Sequence, residues 1–379
     1  HLFAFVWLPR DSLSTQVRLQ IQQLLEDETE ADTLDWSLLV EGGNLAMLRF
    51  VLDFRRHENT PDGAKIDRRL QEMLRGWTEA VEGELRAFEP GRAGALATRF
   101  ADLFPPGYRT HYGAAEAASD IDRIRHLSAD DPERPEGRDA RLYRLASDDP
   151  AQLRLKIYQF GHSMPLSDAV PALENFGFRV LSELPTELEG HDRTTIHDFL
   201  VGLGRSEDAV AVLERTEAIE EAIVAVINGL AEDDVFNRLV IATGLDAREA
   251  GWMRALYRYL RQSAIAYTIY TVVDALRGAP EVTRSLIALF RACHDPTFDR
   301  NRETTARKAE ETIRLGLANV MAINDDRLLR LYWSTVGAIL RTNAFAPAGR
   351  EALAFKFDSS RVPGLPKPVP WREIWVYSP

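Results

Sequence analysis

The feature that most constrains this chain is an order of elements that occurs twice. Residues 2–8, LFAFVWL, are a continuous apolar run of strand length. After PRDSLST, Val17, Ile21, Leu24 and Leu25 recur at helical spacing. TLDWSLLV then alternates Leu34, Trp36, Leu38 and Val40, EGGN marks a turn, and LAMLRFVLDF follows as a third strand. From Ile66 through Leu70, Leu74, Trp77, Val81 and Leu85 the helical period returns, so one helix is expected there. The same order, strand, helix, strand, strand, helix, comes back about 150 residues later. LRLKIYQF (153–160) is a strand, Leu166, Val170 and Leu173 share a helical face despite Pro171, FRVLSELP and TTIHDFLV are strands, and a long helix runs from Asp208 to Ala231. Such an order fits helices on one face of an antiparallel sheet, a ferredoxin-like sandwich.

Around these copies the pattern is helical. Residues 90–127 read as two helices joined at FPPGY, and SADDPERPEGRD is a polar linker. From Asp233 to Arg341 the chain is helical in pattern; DAREAGWMRALYRYLRQS places Ala250, Met253, Leu256, Tyr257 and Leu260 on one face. The expected fold is α+β: two βαββα units with helical connectors, followed by an all-α bundle. The tail FKFDSSRVPGLPKPVPWREIWVYSP differs. Pro363, Pro366, Pro368 and Pro370 fix φ and donate no ladder hydrogen bond, so this stretch is expected to run extended and stay out of a sheet. Ile374 to Tyr377 form a second apolar run whose strand partner is expected beyond Pro379, leaving residues 371–379 packed on the chain's own surface or a neighbour's, or mobile. A start at His1 rather than Met also implies a longer protein.

Composition narrows the partners. Asp and Glu outnumber Lys and Arg, 58 to 46, for a net charge of −12, which opposes any binding that neutralises phosphates; nucleic acid is not expected. No apolar run approaches the ~20 residues of a membrane span, so no membrane partner is expected, and the single cysteine, Cys293, fits a reducing cytoplasm.

Catalytic patterns are weak. The glycines of EGGN and VGLGRS have neither dinucleotide-binding nor P-loop spacing. His191, Asp192, His197 and Asp198 are the nearest metal-like cluster, but neighbours on a strand face opposite ways. Cys293 and His294 stand side by side, yet Cys293 extends the apolar face of Leu286, Leu289 and Phe290, so a buried thiol is expected. Arg10 with Asp11 or Ser14 reads as helix capping. No catalytic, cofactor-binding or metal residue is therefore assigned.

Long segments of the chain resemble the middle of the large bacterial NAD-specific glutamate dehydrogenases: FVWLPRDSLSTQVRLQIQQLL, LKIYQFGHSMPLSDAVPALENFGFRVLSELP, DVFNRLVIATGLDAREAGWMRALYRYLRQ, LRTNAF and the whole tail. The resemblance implies ACT-like domains at 1–89 and 138–232, a helical connector and linker at 90–137, a helical-motif bundle at 233–345, and an extended lead at 346–379 into a catalytic domain absent from this chain. It implies that the intact enzyme uses NAD to deaminate L-glutamate in the cytoplasm as a homo-oligomer. This chain itself is expected to bind no cofactor, and to pair with its own catalytic domain, with identical subunits and with an amino-acid effector. By the same resemblance the effector loop lies after the first strand of each ACT-like unit, and Gly161, Ser163, Ser167 and Asp168 are the candidate residues, Ser167 and Asp168 also being suited to starting the helix. A scaffold without ligand and a stand-alone amino-acid sensor are the rival readings.

Overall fold

In the computed structural model the chain divides into two compact units, residues 1–122 and 123–379. The structure describes residues 1–378 except 10–12, 14, 40–44, 56–60, 75, 128–130, 132–133, 162–163, 189, 191–193, 205–207, 263–266 and 350.

The first unit begins with β1 (Leu2–Pro9), α1 (Thr15–Thr29), β2 (Thr33–Leu39), β3 (Leu45–Leu52) and α2 (Gly63–Leu74). The strands form an antiparallel sheet in the order β1-β3-β2. Strand periodicity sends Val6, Leu8, Leu48, Phe50 and Leu52 to one face, where Ile21 and Leu25 of α1 and Leu70 of α2 cover them. The helix expected across 66–85 is two helices: α2 ends at Leu74, Gly76 is extended (ψ 147°), and α3 (Trp77–Leu85) starts anew. The Trp77 indole donates to the Ala101 carbonyl at 2.7 Å, fixing α3 against the end of α4 (Ala93–Phe100). α5 (Pro106–Ile124) opens on Pro106, where a missing N–H costs nothing, and is kinked at Gly113, whose φ of +78° other residues rarely adopt.

The second unit holds a four-stranded antiparallel sheet, β4-β5-β7-β6, made of β4 (Arg138–Tyr143), β5 (Gln152–Phe160), β6 (Arg179–Glu187) and β7 (Thr194–Gly202). β4 is absent from the sequence reading, which begins this sheet at 153. Its apolar signal is only Ala140, Leu142 and Tyr143, interrupted by charge and directly following the polar linker. α6 (Leu166–Asn175), carrying Pro171, and α8 (Thr216–Ile227) cover one face, packing Leu173, Phe176, Ile219 and Ile223 on Leu155, Ile157, Phe199 and Val201. The long helix expected from 208 is also divided, into α7 (Ala209–Leu213) and α8; at the break Arg215 donates to the carbonyls of Val240 and Ile241, both at 2.9 Å.

The rest is α9 (Arg238–Thr243), α10 (Ala247–Leu260), α11 (Ile269–Gly278), α12 (Pro280–His294), α13 (Arg302–Ala318) and α14 (Ile323–Ala338). A capping box starts α10: Asp246 accepts from the Glu249 amide at 2.7 Å while Glu249 accepts from the Asp246 amide at 3.2 Å. α12 and α13 approach so closely that a Cβ on Gly316 would stand 2.5 Å from Val282 Cγ2.

The region expected to be all-α is not. α14 passes directly into β8 (Ile339–Thr342), which pairs with β9 (Leu353–Phe357), and β9 pairs with β10 (Glu373–Tyr377). The expectation that Ile374 to Tyr377 lack a strand partner in this chain is thereby corrected: Trp375 lies opposite Phe355 and Tyr377 opposite Leu353. The prolines occupy the connection between β9 and β10, outside any strand as expected, but the stretch does not run extended: it turns at 363–364 and bends at 367–368 and 371–372. What draws the tail back is apolar area: Leu353, Phe355 and Phe357 belong to the bundle core, and Trp375 and Tyr377 pack against it. With these antiparallel sheets and separate helical layers the protein is α+β.

Because β10 is an integral strand, the amides it directs at β9 should exchange with solvent slowly in this chain, at rates near those of β9. Hydrogen exchange checks this; unstructured-peptide rates throughout 373–377 would contradict the pairing.

Candidate functional site

The expected effector loop leaves the end of β5 and enters α6. Gly161 has φ +86°, and nothing lies within 4 Å of where its Cβ would stand. Ser163 lies outside the described residues. Ser167 and Asp168 sit together, exposed, in the first turn of α6: the Ser167 hydroxyl donates to Asp168 Oδ1 at 3.2 Å, and the Asp168 amide to the Pro165 carbonyl at 3.0 Å. A carboxylate here complements the helix dipole. The same pair presents a carboxylate and a hydroxyl to solvent, groups that can receive an ammonium. The counterpart in the first unit, Arg10, Asp11 and Ser14 included, lies outside the described residues.

Two buried polar networks escaped the sequence reading. On the sheet face opposite α6 and α8, the Tyr143 hydroxyl donates to Asp198 Oδ2 at 2.7 Å, Lys156 Nζ lies 5.5 Å from the Tyr143 ring, and Arg154 is 3.7 Å from Asp198. Arg154 also forks onto Asp148, Nε at 3.0 Å and NH2 at 2.9 Å. Hydrogen bonding to Arg154 first, opposed by burial, holds the Asp148 carboxyl below its ordinary range. The signal was a lysine inside the buried run LRLKIYQF, where no solvated charge belongs.

The second network centres on Arg254, a buried residue of α10. Its Nε donates to Asp234 Oδ1 at 3.0 Å, its NH2 donates to Asn237 Oδ1 at 2.8 Å, and Glu232 Oε2 lies 3.2 Å away. Burial, and then the neighbouring Glu232, push the hydroxyl of Tyr377, which packs against the bundle core, above its usual value. One turn along α10, Tyr259 donates to Glu373 Oε2 at 3.0 Å and stacks on Phe357 with ring centroids 4.1 Å apart. Arg254 thus ties α10 to the 232–237 segment, and Tyr259 ties it to the start of β10. An arginine three residues before Tyr257 on an apolar helix face was the available clue.

His197 points to the helix-covered face and meets Glu183 at 2.9 Å, while Asp198 points to the other; His191 and Asp192 lie outside the described residues. Among the described residues no group of three or more His, Cys, Asp or Glu could hold a metal ion. Cys293 is exposed, which corrects the expectation of a core thiol; Ala292 takes the buried position. Partial desolvation, then Glu310, push this thiol above its usual value, and His294 packs on Phe290 instead of activating it. No helix among the described residues is long and apolar enough to cross a membrane.

Two outcomes test these networks. Asp148 has a depressed folded pKa, so the stability it supplies is complete above its unfolded pKa of about 3.9 and is lost as pH falls through the folded value. Asp148→Asn should flatten the pH dependence of urea-unfolding stability below that point, and an unchanged slope would remove the carboxylate from the account. Arg254→Met leaves Asp234 and Glu232 only the more distant, exposed Arg258 guanidinium and should cost about 3 kcal/mol in the same measurement; a loss below about 1 kcal/mol would show the cluster to be marginal.

Comparison with known proteins follows the same segments. Models described as glutamate dehydrogenase ACT2 domain, helical motif 2, ACT3 domain and helical motif 3 match residues 1–78, 85–127, 138–213 and 231–296. The bacterial NAD-glutamate dehydrogenase catalytic-domain model matches 312–379, so the end of α13, all of α14 and β8 to β10, expected as bundle and lead, fall within that match. The chain is similar to NAD-specific glutamate dehydrogenases of Halomonas elongata (35% identity over 99% of the chain and 23% of that protein) and Pseudomonas aeruginosa (30% over 100% and 24%). A third, from Mycobacterium tuberculosis, is 28% identical over 99% of the chain and 24% of its own length. The chain therefore spans about a quarter of the length of these relatives. With ACT, helical-motif and catalytic-domain models of one enzyme matched in tandem from residue 1 to residue 379, the chain belongs to the bacterial NAD-specific glutamate dehydrogenase family.

Proposed function

We propose that this chain is the regulatory and assembly region of an NAD-dependent glutamate dehydrogenase. The longer protein would convert L-glutamate, NAD and water to 2-oxoglutarate, ammonia and NADH in the cytoplasm, working as a homo-oligomer. The observation that carries this reading is the tandem order of domains, ACT, helical motif, ACT, helical motif, then the catalytic-domain segment. The two sheets fit ferredoxin-like units: each has the βαββα order, and in the second the edge strand that completes such a sandwich, β4, precedes the others in the chain.

The chain's task is then to bias catalysis, through an effector that prefers one of two arrangements. Tyr259 supports this, since its bond to Glu373 joins the second helical-motif match to β10 in the catalytic-domain match. The effector is an amino acid at the β5–α6 loop, with Ser167 and Asp168 meeting its charged groups. The scaffold reading is favoured by one observation: Ser167 and Asp168 already satisfy each other at the start of α6.

Titration calorimetry of the chain with a panel of amino acids separates the two. Saturable heat that Ser167→Ala with Asp168→Ala abolishes supports the effector loop; no heat from any amino acid leaves the scaffold. Purified chain supplied with glutamate and NAD should form no NADH, and a rate proportional to its concentration would overturn the regulatory assignment.

A further inference from the structure

The first sheet has a covered face and a bare one. Register places Phe3, Phe5 and Trp7 of β1 on the side away from α1 and α2, beside Val51, Arg49 and Met47 of β3, with Leu39 of β2 and Leu45 of β3 continuing the row. An antiparallel sheet with helices on one face is expected to turn polar residues to water on the other. Here the exposed side chains are apolar: Phe3 is 54% exposed, Phe5 47%, Trp7 61%, Leu39 49% and Leu45 56%. Phe5 and Trp7 stack with ring centroids 6.2 Å apart, making one continuous aromatic surface. β1 is also an edge strand among the described residues, so the patch runs to the rim of its sheet.

We propose that this bare face of the β1-β3-β2 sheet is a homotypic interface, packing on the same face of a second copy of the chain about a twofold axis. Area argues for it. Taking 150–250 Å² per aromatic side chain, the exposed parts of Phe3, Phe5 and Trp7 amount to roughly 300 Å², and with the flanking leucines, Met47 and Val51 the face offers about 500 Å². Two copies would bury about 1,000 Å², the size at which specific interfaces begin. On one monomer in water a patch this large lies at the upper end of what is tolerated. Charge argues for the same occupant. The chain carries −12, so most of its surface repels a copy of itself, but on this face the charges, Arg49 and Asp35, pair at 3.4 Å and cancel. A neutral, self-complementary patch is what an isologous contact requires. Face-to-face sheets pack about 10 Å apart, close enough for the aromatic rows of the two copies to interdigitate.

This gives the assembly role a surface, and it rests on that reading only for its setting; its test reads association alone, so its failure leaves the dehydrogenase assignment standing. Sedimentation equilibrium of the purified chain up to about 100 µM should show a dimer, since an interface near the lower size limit is expected to hold at micromolar affinity. Replacing Phe3, Phe5 and Trp7 together by Thr keeps strand propensity and the helix-covered core, and should weaken the dimer at least about ten-fold. In a Cys293→Ser background, Trp7→Cys should form a covalent dimer on mild oxidation, whereas Leu315→Cys, an exposed position on the second unit, should not. A chain that stays monomeric throughout the range, whether the face is bare or covered by its own chain, overturns the proposal. So does a dimer that the threonine variant leaves equally tight.

Discussion

A single buried guanidinium sets how the second unit closes. Arg254 is on a helix whose other inward residues are apolar, and a charge there survives only because Asp234, Asn237 and Glu232 surround it. Those partners come from the segment linking α8 to α9. Charge therefore fixes α10 to the segment that leaves α8, before any apolar contact is counted. Tyr259 extends the same attachment to Glu373 of β10. A chain tied in this way cannot shift β10 without disturbing α10.

The two sheets answer the problem of a second face differently. In the four-stranded sheet the face away from α6 and α8 carries Tyr143, Lys156 and Asp198, buried and mutually bonded, so the polar groups are compensated. In the three-stranded sheet the corresponding face carries aromatics in water. Both devices begin from the same alternation of side chains, and the difference lies in whether the outward residues are charged or apolar.

Legibility in the sequence tracked how much apolar signal each element carried. β1, β3, β5 and β7 are near-continuous apolar runs and were plain. β4 was not, because only Ala140 and Leu142 face the core and Arg138, Asp139 and Arg141 mask them. Helix periodicity alone does not show a break, which is why α2 and α3, and α7 and α8, read as single helices. Cys293 continues a helical apolar face on paper, but the core it points toward ends one residue earlier, at Ala292. The final strand was legible as a strand; its partner was not, since pairing across a fifteen-residue proline-bearing connection is a tertiary fact. Of the candidate site, the helix-start role of Asp168 could be foreseen from residue type, whereas the Arg254 cluster required segments far apart in sequence.

The contact between α12 and α13 carries a consequence for how this region can vary. The space that a Cβ at 316 would need is held by a methyl of Val282, a β-branched residue with little rotameric freedom. The two positions therefore divide one fixed volume between them. Sequence change at either is conditional on the other: a larger residue at 316 becomes admissible only in a lineage that has already lost the Val282 methyl, so the pair behaves as one inherited character spread over two helices.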